Sequence, residues 1–301
     1  MAGRQRWIRI VAAVALAAAL SGCSGSSRTG DSAKLHDQAQ AALARWDTAL
    51  AAAGGPTSAF IPVDPLTGQI GDWEESLGST GKIALGAGLF YTTVTLPSDT
   101  PPDGQIRWAD GRGAAVPLMS AQDALDAIRV AGALFGPCNE CTPLAITGAS
   151  LTNVQLRTSR GLAQVPAWEF TISGSAVRAT RVAVAARVTV PLPAFDENAS
   201  HLGISIESAT VSRDGRGLTV SFIGAPGPGS QACGADYTAE AVESAAAVVV
   251  IVYEHPHESL MGEACTAVGP ERTADVTLAS PLGNRTVLDV VNGSPVAVTQ
   301  P

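Results

Sequence analysis

The chain has 301 residues, 46% of them hydrophobic and 15% charged, with 31 Gly and 19 Pro. This composition excludes a coiled coil and a highly charged disordered chain, and aromatics at 5% leave the core to Val, Ala, Leu and Ile. A formal net charge of −8, with no Lys/Arg run beyond the first residues, argues against nucleic acid as a partner.

Arg4, Arg6 and Arg9 open the chain without an acid, and an apolar run from Ile10 to Leu20 follows. The run is shorter than the ~20 residues a membrane-crossing helix needs and suits the core of an export signal. It ends in Leu20-Ser21-Gly22-Cys23. This resembles the lipobox of bacterial lipoproteins, in which an aliphatic residue and two small residues precede a Cys. The resemblance implies that residues 1–22 are a signal peptide and that Cys23 is the lipidation site. The chain is then held at the extracytoplasmic face of the cell membrane by its acyl groups, and two such chains suffice for a stable anchor. Removing residues 1–22 takes away three Arg and no acid, leaving 16 basic and 27 acidic side chains, a formal −11. Residues 23–33, with the polar run Ser24–Gly30, read as a flexible tether.

From Lys34 to Ala53 the apolar positions Leu35, Ala39, Leu43, Trp46 and Leu50 recur at helical spacing, and Gly54-Gly55-Pro56 stops the pattern. Phe60–Gly81 is rich in Pro and Gly and reads as an ordered loop region, and Lys82–Leu96 reads as a strand. Gln105–Ala109 and Ala114–Leu118 flank Asp110-Gly111-Arg112-Gly113 as a hairpin. Ser120 to Asp123 matches a capping box, opening a helix that carries Ala124, Leu125, Ile128, Leu134 and Phe135 and closes at Gly136-Pro137.

A second hairpin joins Ile146–Thr158 to Gln164–Ser173, with Trp168, Phe170 and Ile172 on the inward face. Val182 to Val190 alternates as a further strand. Pro191-Leu192-Pro193 and the polar Asp196–Ser200 place a boundary near residue 196. Beyond it, Ile204–Ser212 and Leu218–Gly224 form a hairpin, and Val248–Tyr253, Ala274–Ala279 and Thr286–Val291 add strands. Ala239–Ala247 is compatible with a helix. The fold class is α+β: an α+β domain over residues 34–195 followed by a β-rich, sandwich-like domain over 196–301.

With Cys23 lipidated, four Cys remain: Cys138, Cys141, Cys233 and Cys265. Outside the cytoplasm an even number reads as two disulfides. Three pairings are possible, and proximity favours Cys138 with Cys141 and Cys233 with Cys265. The CxxC motif also admits a redox or zinc reading, but Gly136-Pro137 ends a helix where a redox dithiol would begin one, and no second Cys/His pair lies at suitable spacing.

The stretches Gly71-Asp72-Trp73-Glu74, Trp108-Ala109-Asp110-Gly111, Val116-Pro117-Leu118, Gly136-Pro137-Cys138-Asn139-Glu140-Cys141, Val165-Pro166-Ala167-Trp168-Glu169-Phe170 and Pro281-Leu282-Gly283-Asn284-Arg285 resemble a group of secreted actinobacterial lipoproteins without an established biochemical activity. The resemblance implies a surface lipoprotein and carries over no catalytic residues.

Candidate chemistry is sparse. Ser79-Thr80-Gly81-Lys82 fits the S-x-x-K pattern of penicillin-recognising enzymes, without the S-x-N and K-T-G partners that chemistry needs. Asp72, Glu74, Glu75 and Asp110 are candidate paired carboxylates for hydrolysis of wall polysaccharide. Trp73, Trp108 and Trp168 read first as core and only then as sugar-stacking rings. In Glu254-His255-Pro256-His257-Glu258 the two imidazoles are candidate Zn²⁺ or Cu²⁺ ligands, with Glu263 or His201 as completing groups. The Pro makes a surface loop the plainer reading.

The leading expectation is therefore a non-enzymatic binding or interaction module of the cell envelope, without a cofactor, anchored to the membrane and meeting an envelope protein or cell-wall ligand. The alternatives are a cell-wall hydrolase or transferase using acids near Asp72 and Asp110, and metal binding through His255 and His257.

Overall fold

The computed structural model describes residues 26–73, 78–133, 138, 140–193, 202–258, 265 and 268–300. The expected export signal, Cys23, the expected helix end at 134–137 and the expected boundary near residue 196 lie outside the described residues.

The first element is helix α1, Ser26–Ala52. It begins inside the stretch read as a tether. Adding turns to an existing helix costs less than nucleating one, and Gly30 is the only strong helix breaker between Ser26 and the amphipathic stretch. Gly54 and Gly55 take positive φ, and the Gly55 amide returns to the Leu50 carbonyl at 2.9 Å, closing the last turn.

Seven strands build a bent sheet: β1 Thr67–Ile70, β2 Phe90–Thr92, β3 Gly104–Trp108, β4 Gly113–Val116, β5 Leu144–Thr158, β6 Gly161–Ile172 and β7 Arg178–Val182. β6 is its spine. β5 lies antiparallel along one whole edge of β6. The other edge is shared, with β3 pairing at Ala163 and Gln164 and β7 from Ala167 to Thr171. Trp168, Phe170 and Ile172 are buried, as their alternation requires. They share a core with helix α2, Gly78–Gly86, and helix α3, Ala121–Gly132, through Ala84, Leu85, Leu125 and Ile128. The capping box forms: Ser120 Oγ accepts from the Asp123 amide at 3.1 Å and donates to its carboxylate at 2.8 Å.

Two stretches depart from expectation. Lys82–Leu96 is not one strand, because α2 runs through Gly86 and only Phe90–Thr92 pairs as β2. Burial of Ala84 and Leu85 in the core holds a short helix that propensity alone would not. Val182–Val190 leaves the sheet after Val182 and contains a 3₁₀ turn at Ala186–Val188. Ala183, Val184 and Ala185 are buried in succession, so alternation stops there.

The rest of the chain makes a sandwich. One sheet has the order β12-β9-β8-β14, from β8 Ile206–Val211, β9 Gly217–Ile223, β12 Glu271–Thr277 and β14 Ala297–Thr299. The other has the order β10-β11-β13, from β10 Ala235–Glu243, β11 Ala247–Pro256 and β13 Thr286–Asp289. Ala239–Glu243, compatible with a helix on composition, is therefore strand. Val248, Val250 and Val252 of β11 meet Leu218, Val220 and Phe222 between the sheets. Ala247, Val249 and Ile251 point the other way and bury the stripe of α1, Leu35, Ala39, Leu43, Trp46 and Leu50. A strand covered on both faces must be apolar at every position, which explains the long run ending at Tyr253. The chain's first helix is thus seated on its last third.

Both proximity pairings of the cysteines form disulfides, with Cα atoms 5.5 Å apart for Cys138–Cys141 and 5.6 Å for Cys233–Cys265.

His36 latches α1 to β10. Its Nε2 lies 2.9 Å from Glu240 Oε1 and its Nδ1 lies 2.9 Å from the Ser32 carbonyl oxygen. An imidazolium donates to both at once. The Ser32 carbonyl first, then Glu240, raise the His36 pKa above its ordinary 6.5. The latch therefore contributes fully below pH 6.5 and fades as pH rises through the raised folded value. A His36→Gln chain is expected to melt slightly below wild type at pH 5.5 and level with it at pH 8.5. Equal offsets at both values in thermal melts would remove the titration from this account. The effect is small because both side chains are more than a third exposed.

Candidate functional site

The structure separates the two acids proposed as a pair. Asp110 sits in the β3–β4 turn, where the neighbouring Ala109 amide donates to the Leu162 carbonyl at 3.0 Å. Asp72 follows β1, and the adjacent Gly71 lies against Val177, beside the β7 residue that pairs with Thr171. Along β6, Leu162 and Thr171 are nine residues or about 30 Å apart, so the two carboxylates do not share a site. The Asp110 carboxylate is held by Arg112, with Nη2 at 2.5 Å, Nε at 2.6 Å and the amide at 2.9 Å. These bonds lower its pKa, which suits a fixed anion and opposes a general acid. Glu74 and Glu75 lie outside the described residues. Trp73 is buried in the core, and its indole N–H donates to Gln69.

The two candidate metal ligands are each engaged. Residues 254–256 extend β11 rather than forming a loop, with His255 opposite Asp236 and Glu254 opposite Tyr237. His255 Nε2 bonds Thr238 Oγ1 at 2.9 Å, and His257 Nδ1 donates to the Gly229 carbonyl at 2.9 Å. His201 and Glu263 lie outside the described residues. Among the described residues no group of three or more His, Cys, Asp or Glu is placed to hold a metal. Ser79 and Lys82 both fall on α2.

What the fold does assemble is a cleft of about 370 Å³ between the seven-stranded sheet and the sandwich. The β3–β4 turn contributes Asp110 and Arg112, the β5–β6 turn Arg160, and the loop before β13 Asn284 and Arg285. A smaller hollow of about 270 Å³ adjoins it and shares Ile61, Ser159 and Arg160. Trp108 lines that hollow. Its indole N–H donates to Thr158 Oγ1 at 3.0 Å, and the buried Thr158 hydroxyl donates to the Gly161 carbonyl at 2.8 Å. This network fixes the turn that carries Arg160.

The cleft's charges are unequal. Arg112 is neutralised by Asp110, and Arg285 by Glu243 at 2.5 Å. The Arg160 guanidinium lies over the Trp108 ring, 5.7 Å from its centroid. It has no carboxylate partner among the described residues. A half-buried cation left uncompensated in an acidic chain is a ready contact for an anionic group.

Sequence reasoning reached Asp110 and Trp108 but missed Arg160 and Arg285. The available signal was an Arg at a hairpin tip between Ser159 and Gly161, two residues beyond Thr158. The distant loop that completes the wall left no such mark. No protein-family model, curated protein or solved structure matches the chain.

Proposed function

We propose that the chain is a lipid-anchored binding module at the extracytoplasmic face of the cell membrane. In this reading an α+β unit and a β-sandwich unit together present the cleft at Arg160 to an anionic envelope ligand. The observation that carries the proposal is this cation, stacked on Trp108 and without a carboxylate partner among the described residues, in a cleft lined by two turns of the seven-stranded sheet and by the loop before β13. Loops on a rigid scaffold are the usual place for recognition. The lipobox resemblance at Leu20–Cys23 and the two disulfides support the location.

The test uses cells fed radioactive palmitate. The full chain is expected to carry label and stay with membranes, and Cys23→Ala to lose the label and leave them. Membranes bearing wild type are then expected to retain purified anionic wall polymer roughly tenfold better than those bearing Arg160→Ala, with the difference shrinking at high salt. Unlabelled wild type ends the anchoring half. Equal retention by Arg160→Ala ends the cleft half.

A further inference from the structure

A second pocket, of about 390 Å³, lies on the seven-stranded sheet away from the cleft. Leu66 and β1 form one wall, Leu85 and Gly86 of α2 another, and Ile128 of α3 a third. Arg181 of β7 also lines it. The two helices are drawn together where Gly132 meets Gly88. A Cβ at Gly132 would lie 2.2 Å from the Gly88 nitrogen, so the backbones touch there. Gly86, by contrast, faces open space, with nothing within 4 Å of where its Cβ would stand.

Arg181 is an unusual group to find in such walls. It opposes Thr67 in the β1–β7 register and donates from Nη1 to Thr67 Oγ1 at 2.9 Å. Its Nε is buried and makes no hydrogen bond among the described residues. No carboxylate among the described residues pairs with it. An unpaired, partly buried guanidinium costs stability, and an orphaned donor calls for an explanation. Lys82 adds a second positive charge at the mouth, likewise without an ion pair among the described residues. The same β1, α2 and α3 expose Ile70, Ile83 and Val130 at 46%, 53% and 71%.

Apolar walls with one oriented polar anchor are the usual make-up of a small-molecule site, and the volume falls in that range. The anchor's chemistry selects the headgroup. A planar guanidinium fork matches a carboxylate, which accepts two parallel hydrogen bonds from it.

We propose that this pocket binds an amphipathic carboxylate of the fatty-acid class, its headgroup on Arg181 and its chain along Leu66, Leu85 and Ile128. Lys82 draws the anion to the entrance. The site is independent of the cleft at Arg160, so either assignment can fail alone.

The test is photolabelling of the full chain in its membranes with a diazirine-bearing dodecanoate, the labelled peptides being mapped by mass spectrometry. Label is expected in peptides covering residues 65–69, 82–86 and 128–132. Arg181→Gln, which can still donate to Thr67, is expected to lower it roughly tenfold, the loss expected for a charge-assisted hydrogen bond. Gly86→Leu fills the open space and is expected to abolish it, with the circular dichroism spectrum unchanged. Unlabelled dodecanoate should displace the probe, and dodecanol and dodecyl phosphate should not. Label elsewhere only, label unchanged in both variants, or displacement by dodecanol as good as by dodecanoate would each overturn the proposal. Better displacement by dodecyl phosphate would overturn the carboxylate assignment.

Discussion

Replacing Trp46 by Ala is expected to destabilise the protein by about 3–5 kcal/mol. Trp46 is 3% exposed and sits mid-stripe on α1, packed toward Val249 and Ile251 of β11 and Leu288 of β13. Its truncation leaves a cavity under α1, whose place is held by Leu35, Ala39, Leu43 and Leu50 of the same stripe, against a sheet whose far face is fixed by the sandwich core, so neither can collapse into it freely. The indole N–H of Trp46 is buried without a partner among the described residues. Trp46→Phe keeps most of the buried area and removes that orphan, so its cost is expected to stay below about 1.5 kcal/mol. Urea unfolding of the three chains gives the comparison. A loss as large for Phe as for Ala would mean that the ring's shape, not its burial, holds α1 in place.

Arg285→Ala is expected to cost a similar amount, about 3–5 kcal/mol, by a different route. Arg285 and Glu243 are 11% and 19% exposed, with Nη1 2.5 Å from Oε2. Arg285 also donates to the Ser280 carbonyl at 2.7 Å and the Pro281 carbonyl at 3.2 Å, while Glu243 accepts from the Ala279 amide at 2.7 Å. The pair thereby fastens the end of β10 to the loop before β13, which forms one wall of the cleft. Removing the cation strands a largely buried carboxylate. Arg285→Met with Glu243→Met strands nothing and is expected to recover most of the loss. Burial pushes the Glu243 pKa up, but Arg285 and the Ala279 amide together bring it below its ordinary 4.5. Stability from this pair is therefore present above pH 4.5 and lost as pH falls through the lowered folded value. In Arg285→Ala only burial and the backbone amides of Ala279 and Ser280 remain, and that acid-side loss should shrink. A double-mutant cycle followed from pH 3 to 7 checks both statements.

The fold was legible where one physical signal dominated. The stripe of α1, the Ser120 capping box, the Trp168–Ile172 alternation and the hairpins around Gly111, Gly161 and Gly215 all rest on contacts within a few residues of one another. It was illegible where burial came from far along the chain. Nothing near Ala84 and Leu85 indicates the core, shared with β5, β6 and α3, in which they are buried, and nothing near Leu43 indicates β11. The stripe of α1 packs on strands from the last third of the chain, and no residue near it signals that. The site followed the same rule. Asp110 was singled out, but with Asp72 as its partner rather than Arg112 two residues on, and Arg160 reaches the cleft only because β5 and β6 turn beside β3. Arg181 acquires its character from Thr67, 114 positions away.

The seat of α1 has a consequence for the order of events during biosynthesis. His36 and Glu240, which meet across it, are separated by 204 positions. A chain that emerges amino terminus first shows the apolar side of its first helix to water before β10, β11 and β13 exist. So long-range a closure is slow compared with forming local hairpins. The nascent polypeptide is therefore most prone to aggregation and proteolysis in the interval before Thr286–Asp289 has been synthesised. Premature stop codons anywhere before that strand should give rapidly degraded fragments rather than a shortened but durable protein.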